Sequence, residues 1–203
     1  MTSTPAFAVA APAEPRRRIL DGAVRCFARQ GFHGTSMHQI CAEADMSPGG
    51  LYRYFPSKDA IIEAIVVEER QRNAEFTSRL AVERDIVATL CEVGFAHLRE
   101  LGRDRLGPLC AEVCAEAQRN ERIRVVFEAN HREVSAAILQ ALERARRLGE
   151  IDPAIDLESA VTTLMAIGDG LMVRMPFETE AALDRLFPAL RDLVGRMLAP
   201  RAS

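Results

Sequence analysis

The chain has 203 residues, 48% of them hydrophobic, and a formal net charge of −3. That length and apolar content exclude a disordered segment, the weak net charge excludes a general nucleic-acid coat protein, and the lack of any run of about 18 apolar residues excludes a membrane span. The charge is uneven, with seven Lys/Arg against four acids in residues 1–58 and 19 against 25 in the remainder, so only a basic head is suited to meet a polyanion.

Residues 1–14 include an Ala-Val-Ala-Ala-Pro-Ala stretch that imitates a signal-peptide cleavage region. No positive n-region precedes it and Pro5 and Pro12 interrupt it, so it reads as a flexible arm. Beyond it the 3.6-residue apolar period predicts helices almost throughout, punctuated by Gly and Pro, and strand-like alternation is absent. The first helix runs from about Pro15 to Gln30, buries Ile19, Ala23, Cys26 and Phe27, and ends at Gly31. A short second helix starts near Thr35 or Ser36, both good N-caps. A third starts at Ser47 with Pro48 at its first position, where a missing N–H costs nothing. Pro56 ends that piece, and Ser57 caps a long fourth helix to about Arg79.

Longer amphipathic helices follow near 84–101, 108–118, 121–148, 156–174 and 179–198. The fold class is therefore all-α with about nine helices, in three parts: an arm (1–14), a head of short helices (15–58), and a larger helical body (59–203). The stripe Leu183, Leu186, Phe187, Leu190, Leu193, Val194 and Met197 on the last helix reads as a subunit interface. So does Val161, Leu164, Met165, Leu171 and Met172 on the helix before it, with Gly168 allowing close approach.

Residues 35–58 read TSMHQICAEADMSPGGLYRYFPSK. Two short helices meet at a tight turn over Ala44-Asp45-Met46, the layout in which one helix braces another that enters the major groove by its N-terminus. Gly49 and Gly50 each cost a helix about 1 kcal/mol relative to Ala, which makes sense where a DNA backbone or base edge comes close.

This segment, with Phe-Ala-x-x-Gly-Phe at the end of the first helix, resembles the signature of the TetR family of regulators over residues 16–66; beyond that only the helical layout and length match. The family usually has Gly where Asp45 stands, and Asp tolerates the left-handed conformation better than most residues. The resemblance implies that Pro48, Gly50 and Arg53 approach base edges, Arg53 being the long donor suited to guanine. It places Tyr52, Tyr54 and Lys58, the only lysine of the chain, at phosphate positions. Thr35, Ser36 and His38 open the bracing helix, whose N-terminus favours a phosphate, and Ser47 and Gly49 complete the DNA-binding set. Arg16, Arg17 and Arg18 are positioned to reach phosphates or the flanking minor groove.

The resemblance implies a DNA-binding helix-turn-helix domain over 15–58 and a ligand-sensing and dimerisation domain over 59–203: a homodimer on palindromic double-stranded DNA and a small, mostly apolar effector that releases a repressor. Cys91, Phe95, Phe127, Asn130 and Met165 are the candidate effector residues; Asn130 interrupts an apolar stripe and so needs a partner. A second reading, a thiol-responsive or soft-metal-responsive regulator, rests on Cys110 and Cys114, four apart on one helix face. The sequence has no Gly-rich phosphate loop, no Gly-x-Ser-x-Gly and no metalloprotease motif, and Glu128-x-x-His131 is half of a di-metal motif without its second half. The expectation is a protein that is not an enzyme, with no catalytic residues, metal or cofactor. Five cysteines set in helical patterns suit the reducing cytoplasm.

Overall fold

A computed structural model of the chain describes residues 14–82, 85–103 and 107–200. Residues 1–13 of the expected arm lie outside the described residues. The described residues form nine α-helices: α1 (Pro15–Gly34), α2 (Met37–Glu43), α3 (Pro48–Tyr52), α4 (Lys58–Val82), α5 (Ile86–Arg103), α6 (Gly107–Ala117), α7 (Glu121–Leu148), α8 (Leu157–Arg174) and α9 (Glu180–Leu198). A 3-10 turn, Met175–Phe177, joins the last two. The all-α fold is as the apolar period predicts, and no described helix is long and apolar enough to cross a membrane.

Local chemistry sets the boundaries. Gly31 adopts φ 71° and breaks α1 at the expected place, leaving Phe32–Gly34 as a separate final turn. Ser36 and Gln39 form a reciprocal capping box at the start of α2. Ser47 caps α3 by accepting from the Gly50 N–H, with Pro48 just inside. Asn120 and Gly149 (φ 75°) delimit α7 in the same way.

The head packs around Ile19, Leu20, Phe27, Ile40, Leu51, Ile61 and Ile62, each at most 1% exposed. Burying each is worth about 1.5–3 kcal/mol. This core does not close within the first four helices. Leu109, Val113 and Ala117 of α6 and Ile123 of α7 belong to the same cluster. A second cluster joins the far end of α4 (Leu80) to α5, α7, α8 and α9 through Ile86, Leu142, Ile151 and Leu198. A third, smaller one gathers Leu98, Met175, Leu183 and Phe187, with Phe95 stacked on Phe187 at 4.5 Å.

These clusters assign most of the apolar stripes on the last two helices to the subunit's own core. Leu183, Phe187 and Val194 are buried within their own subunit, and Leu186, Leu190 and Met197 pack against the same clusters. Of that stripe only Leu193 is exposed, at 54%. On α8, Val161 is core with Leu164 and Met165 packed against its cluster, and Leu171 and Met172 pack against the third cluster. Gly168 permits no close helix approach within the chain, since a Cβ built there meets nothing within 4 Å.

Candidate functional site

The tight turn between α2 and α3 places Asp45 at φ 51°, the left-handed conformation that a family glycine would adopt without strain. The Met46 N–H donates to Cys41 O at 3.0 Å. From α1, the Arg18 guanidinium donates to Ala44 O at 3.0 Å and to Asp45 O at 2.6 Å, clamping the turn. Leu51 and Phe55 point inward, so the intervening Tyr52, Arg53 and Tyr54 face solvent with Pro48 and Gly49. The Arg53 guanidinium lies 5.5 Å from the Tyr54 ring and, among the described residues, makes no hydrogen bond to protein. The two glycines differ. A Cβ at Gly49 would meet nothing within 4 Å, whereas one at Gly50 would press on Ser47 Oγ at 3.2 Å, the atom that caps the helix.

Most of the remaining head residues are committed internally. Ser36 is spent on its capping box, while His38 is exposed on α2. Thr35 is 2% exposed and its hydroxyl donates to Gly31 O at 2.8 Å, so that hydroxyl is turned away from the surface. Lys58 Nζ donates to Phe32 O at 2.7 Å and Thr35 O at 2.6 Å and sits 4.6 Å from the Phe32 ring centroid. Arg16 and Arg17 bind Glu68 of α4. The arginine triplet thus fastens α1 to its neighbours. Arg29 and Arg25 both bind Glu43, and their hydrogen bonds hold its carboxyl at about 2. Sequence reasoning missed these clamps because each joins residues far apart in the chain.

Beneath the head lies a cavity of about 560 Å³ whose wall draws on α1, α4, α5, α6, α7, α8 and α9. The five residues proposed from sequence, Cys91, Phe95, Phe127, Asn130 and Met165, all line it. So do polar pairs that the sequence did not reveal. Asn73 Nδ2 donates to Asn130 Oδ1 at 3.1 Å, His97 Nε2 lies 3.1 Å from Glu69 Oε1, and His131 Nε2 lies 3.4 Å from Asp169 Oδ2. The His131 ring also packs on Phe127 at 4.6 Å. Asn130 therefore has the partner its place on an apolar stripe demands. His131, three residues after Glu128, serves this wall and pairs with Asp169.

Among the described residues all five cysteines are thiols. Burial pushes the Cys26, Cys41, Cys91 and Cys114 thiols up. A raised thiol is a poorer nucleophile and a poorer soft-metal ligand, so the Cys110–Cys114 reading gains no support.

Comparison with known proteins agrees with this geometry. Residues 19–65 match the bacterial regulatory proteins of the tetR family, and residues 103–199 match the C-terminal part of BetI-type transcriptional repressors. The structure of Salmonella enterica GusR superposes with a TM-score of 0.78, at 33% identity, over 95% of this chain and 99% of that one. The chain belongs to the TetR family of bacterial transcriptional regulators. This regulator is also 29% identical to the HTH-type transcriptional regulator UidR of Escherichia coli (strain K12), over 92% of the chain and 94% of UidR. A Saccharomonospora viridis protein solved in complex with choline shares the fold at 22% identity and a TM-score of 0.76, covering 92% of this chain and 98% of that one. The relatives are transcriptional regulators, and this chain is a DNA-binding regulator of the same kind.

Proposed function

We propose that the regulator is a homodimeric repressor of a palindromic operator, released when an amphipathic small molecule enters the cavity. The cavity carries this reading. Its wall includes Leu20 and Val24 of α1 as well as Phe127 and Met165 of the body, so filling it acts directly on the head. The apolar side chains suit the effector's body, and the Asn73–Asn130, Glu69–His97 and His131–Asp169 pairs suit a hydrogen-bonding edge. The effector is thus less uniformly apolar than the sequence suggests. The choline held by the Saccharomonospora viridis protein supports a small polar or charged group within this fold.

On the DNA side, Arg53, Pro48 and Gly50 approach base edges, with Ser47 and Gly49 keeping the backbone close. Tyr52, Tyr54 and His38 meet phosphates, while Thr35, Ser36 and Lys58 act by holding the start of α2 in place. The two-fold arrangement that a palindrome needs is supplied by the exposed faces of α8 (Thr162, Ala166, Gly170, Val173) and α9 (Ala189, Leu193).

The test begins with selection of bound duplexes from a random pool. Arg53→Ala should lower discrimination at one base position by about 1–3 kcal/mol. Effectors found by thermal shift should weaken operator binding, and Phe127→Ala with Asn130→Ala should remove that response. Equal affinity of wild type for selected and scrambled duplexes would defeat the operator reading. Hits that bind without moving operator affinity would defeat the release mechanism.

A further inference from the structure

The α1–α2 junction is held from two sides. Gly31 turns the chain out of helix at φ 71°, which frees the Phe32 N–H from the helical ladder. Glu112 Oε2 of α6 accepts that N–H at 3.0 Å, across 80 residues of sequence. The same carboxylate lies so close that a Cβ at Gly31 would sit 3.1 Å from Glu112 Oε1, so the position needs glycine for space as well as for φ. One turn along α6, Glu116 Oε2 lies 2.9 Å from His33 Nε2, with the Glu116 side chain only 8% exposed. On the acceptor side, Lys58 at the start of α4 takes Phe32 O and Thr35 O. The next residue, Ser36, caps the helix that braces the reading helix.

The adjacent face of α6 carries Leu109, Cys110, Val113 and Cys114 on the cavity wall. Leu109 and Val113 also belong to the core of the head. One short helix therefore touches the cavity with one face and the junction ahead of α2 with the next.

We propose that Glu112 and Glu116 are positioning residues for DNA reading: they fix the Gly31–His33 turn, and so the register of α2 and α3, to the cavity helix α6. This rests on the cavity being the effector site only for its regulatory consequence. The junction and the cavity wall then move together, so DNA binding at α3 restrains α6 just as a shift of α6 displaces α3.

Hydrogen exchange read by mass spectrometry tests this on the full chain, with an operator duplex recovered from a random pool and no effector. In wild type, the duplex should slow exchange at least threefold over both 37–55 and 107–117. In Glu112→Ala/Glu116→Ala, protection over 37–55 should persist and protection over 107–117 should fall to less than half of its wild-type extent. Glu112→Gln/Glu116→Gln keeps an acceptor oxygen at each place and should restore it. Should the double Ala variant fail to fold, Glu112→Ala alone carries the comparison, since that carboxylate is only half-buried. The proposal is overturned by absence of protection over 107–117 in wild type, by undiminished protection in the Ala variant, or by failure of the Gln pair to restore it. Failure of the cavity reading is seen elsewhere, in effector titrations of Phe127→Ala, and leaves this pattern unchanged.

Discussion

Gly49 and Lys58 show how one residue's surroundings separate folding from binding. A methyl at Gly49 meets open space, and Ala is favoured over Gly in a helix by about 1 kcal/mol. Gly49→Ala should therefore melt at the same or a higher temperature while its operator affinity falls at least tenfold, read by fluorescence anisotropy. If affinity is unchanged, nothing approaches that backbone. Lys58 behaves in the opposite way. Its ammonium satisfies the carbonyls of Phe32 and Thr35 at the end of α1, and a hydrogen bond to a charged group contributes about 1.5–3 kcal/mol. Lys58→Ala should thus lower the melting temperature and leave the salt slope of operator binding as it was. A slope that flattens by about one, with stability unchanged, would return Lys58 to a phosphate.

At the scale of elements, α1 and α2 are bolted together by Glu43 between Arg29 and Arg25. Their hydrogen bonds lower the Glu43 carboxyl from its ordinary 4.5 to about 2. A carboxyl depressed on folding stabilises the native state fully above its unfolded value, and the contribution is lost as pH falls toward the folded one. Acid titrations of wild type and Glu43→Gln by circular dichroism should therefore differ most above pH 4.5 and converge near pH 2. A constant offset over that window would mean that Glu43 acts through packing alone. The capping signals of these helices were legible in the sequence because they are local: Ser36 with Gln39, and Ser47 with Gly50, lie three residues apart. The Arg18 clamp on Ala44 spans 26 residues, and no local pattern announces it.

For the whole molecule, the face left over after each core has closed decides how subunits meet. Leu190 helps to pack its own subunit and lines the cavity, so a charge there would damage the fold before it reported on assembly. Val173 and Leu193 are 48% and 54% exposed on α8 and α9. Val173→Glu/Leu193→Glu should keep the helical content and melting behaviour of wild type but elute as a monomer in light scattering, with operator affinity greatly weakened. A variant that stays dimeric would place the interface on another face.

The sequence alone determined the helices and the helix-turn-helix, because caps, turns and apolar period act within a few residues; the outward direction of Tyr52, Arg53 and Tyr54 was implied by the family resemblance. It also picked out five residues that share one cavity, since a core-facing polar or bulky side chain is visible in a helical stripe. Only the tertiary structure decided which apolar stripe faces a partner and which faces the subunit's own core, because periodicity marks a buried face without saying what buries it. The same holds for Glu112 at Phe32 and Asp169 at His131. Those contacts come from helices distant in the chain, and helix packing alone brings them within hydrogen-bonding distance.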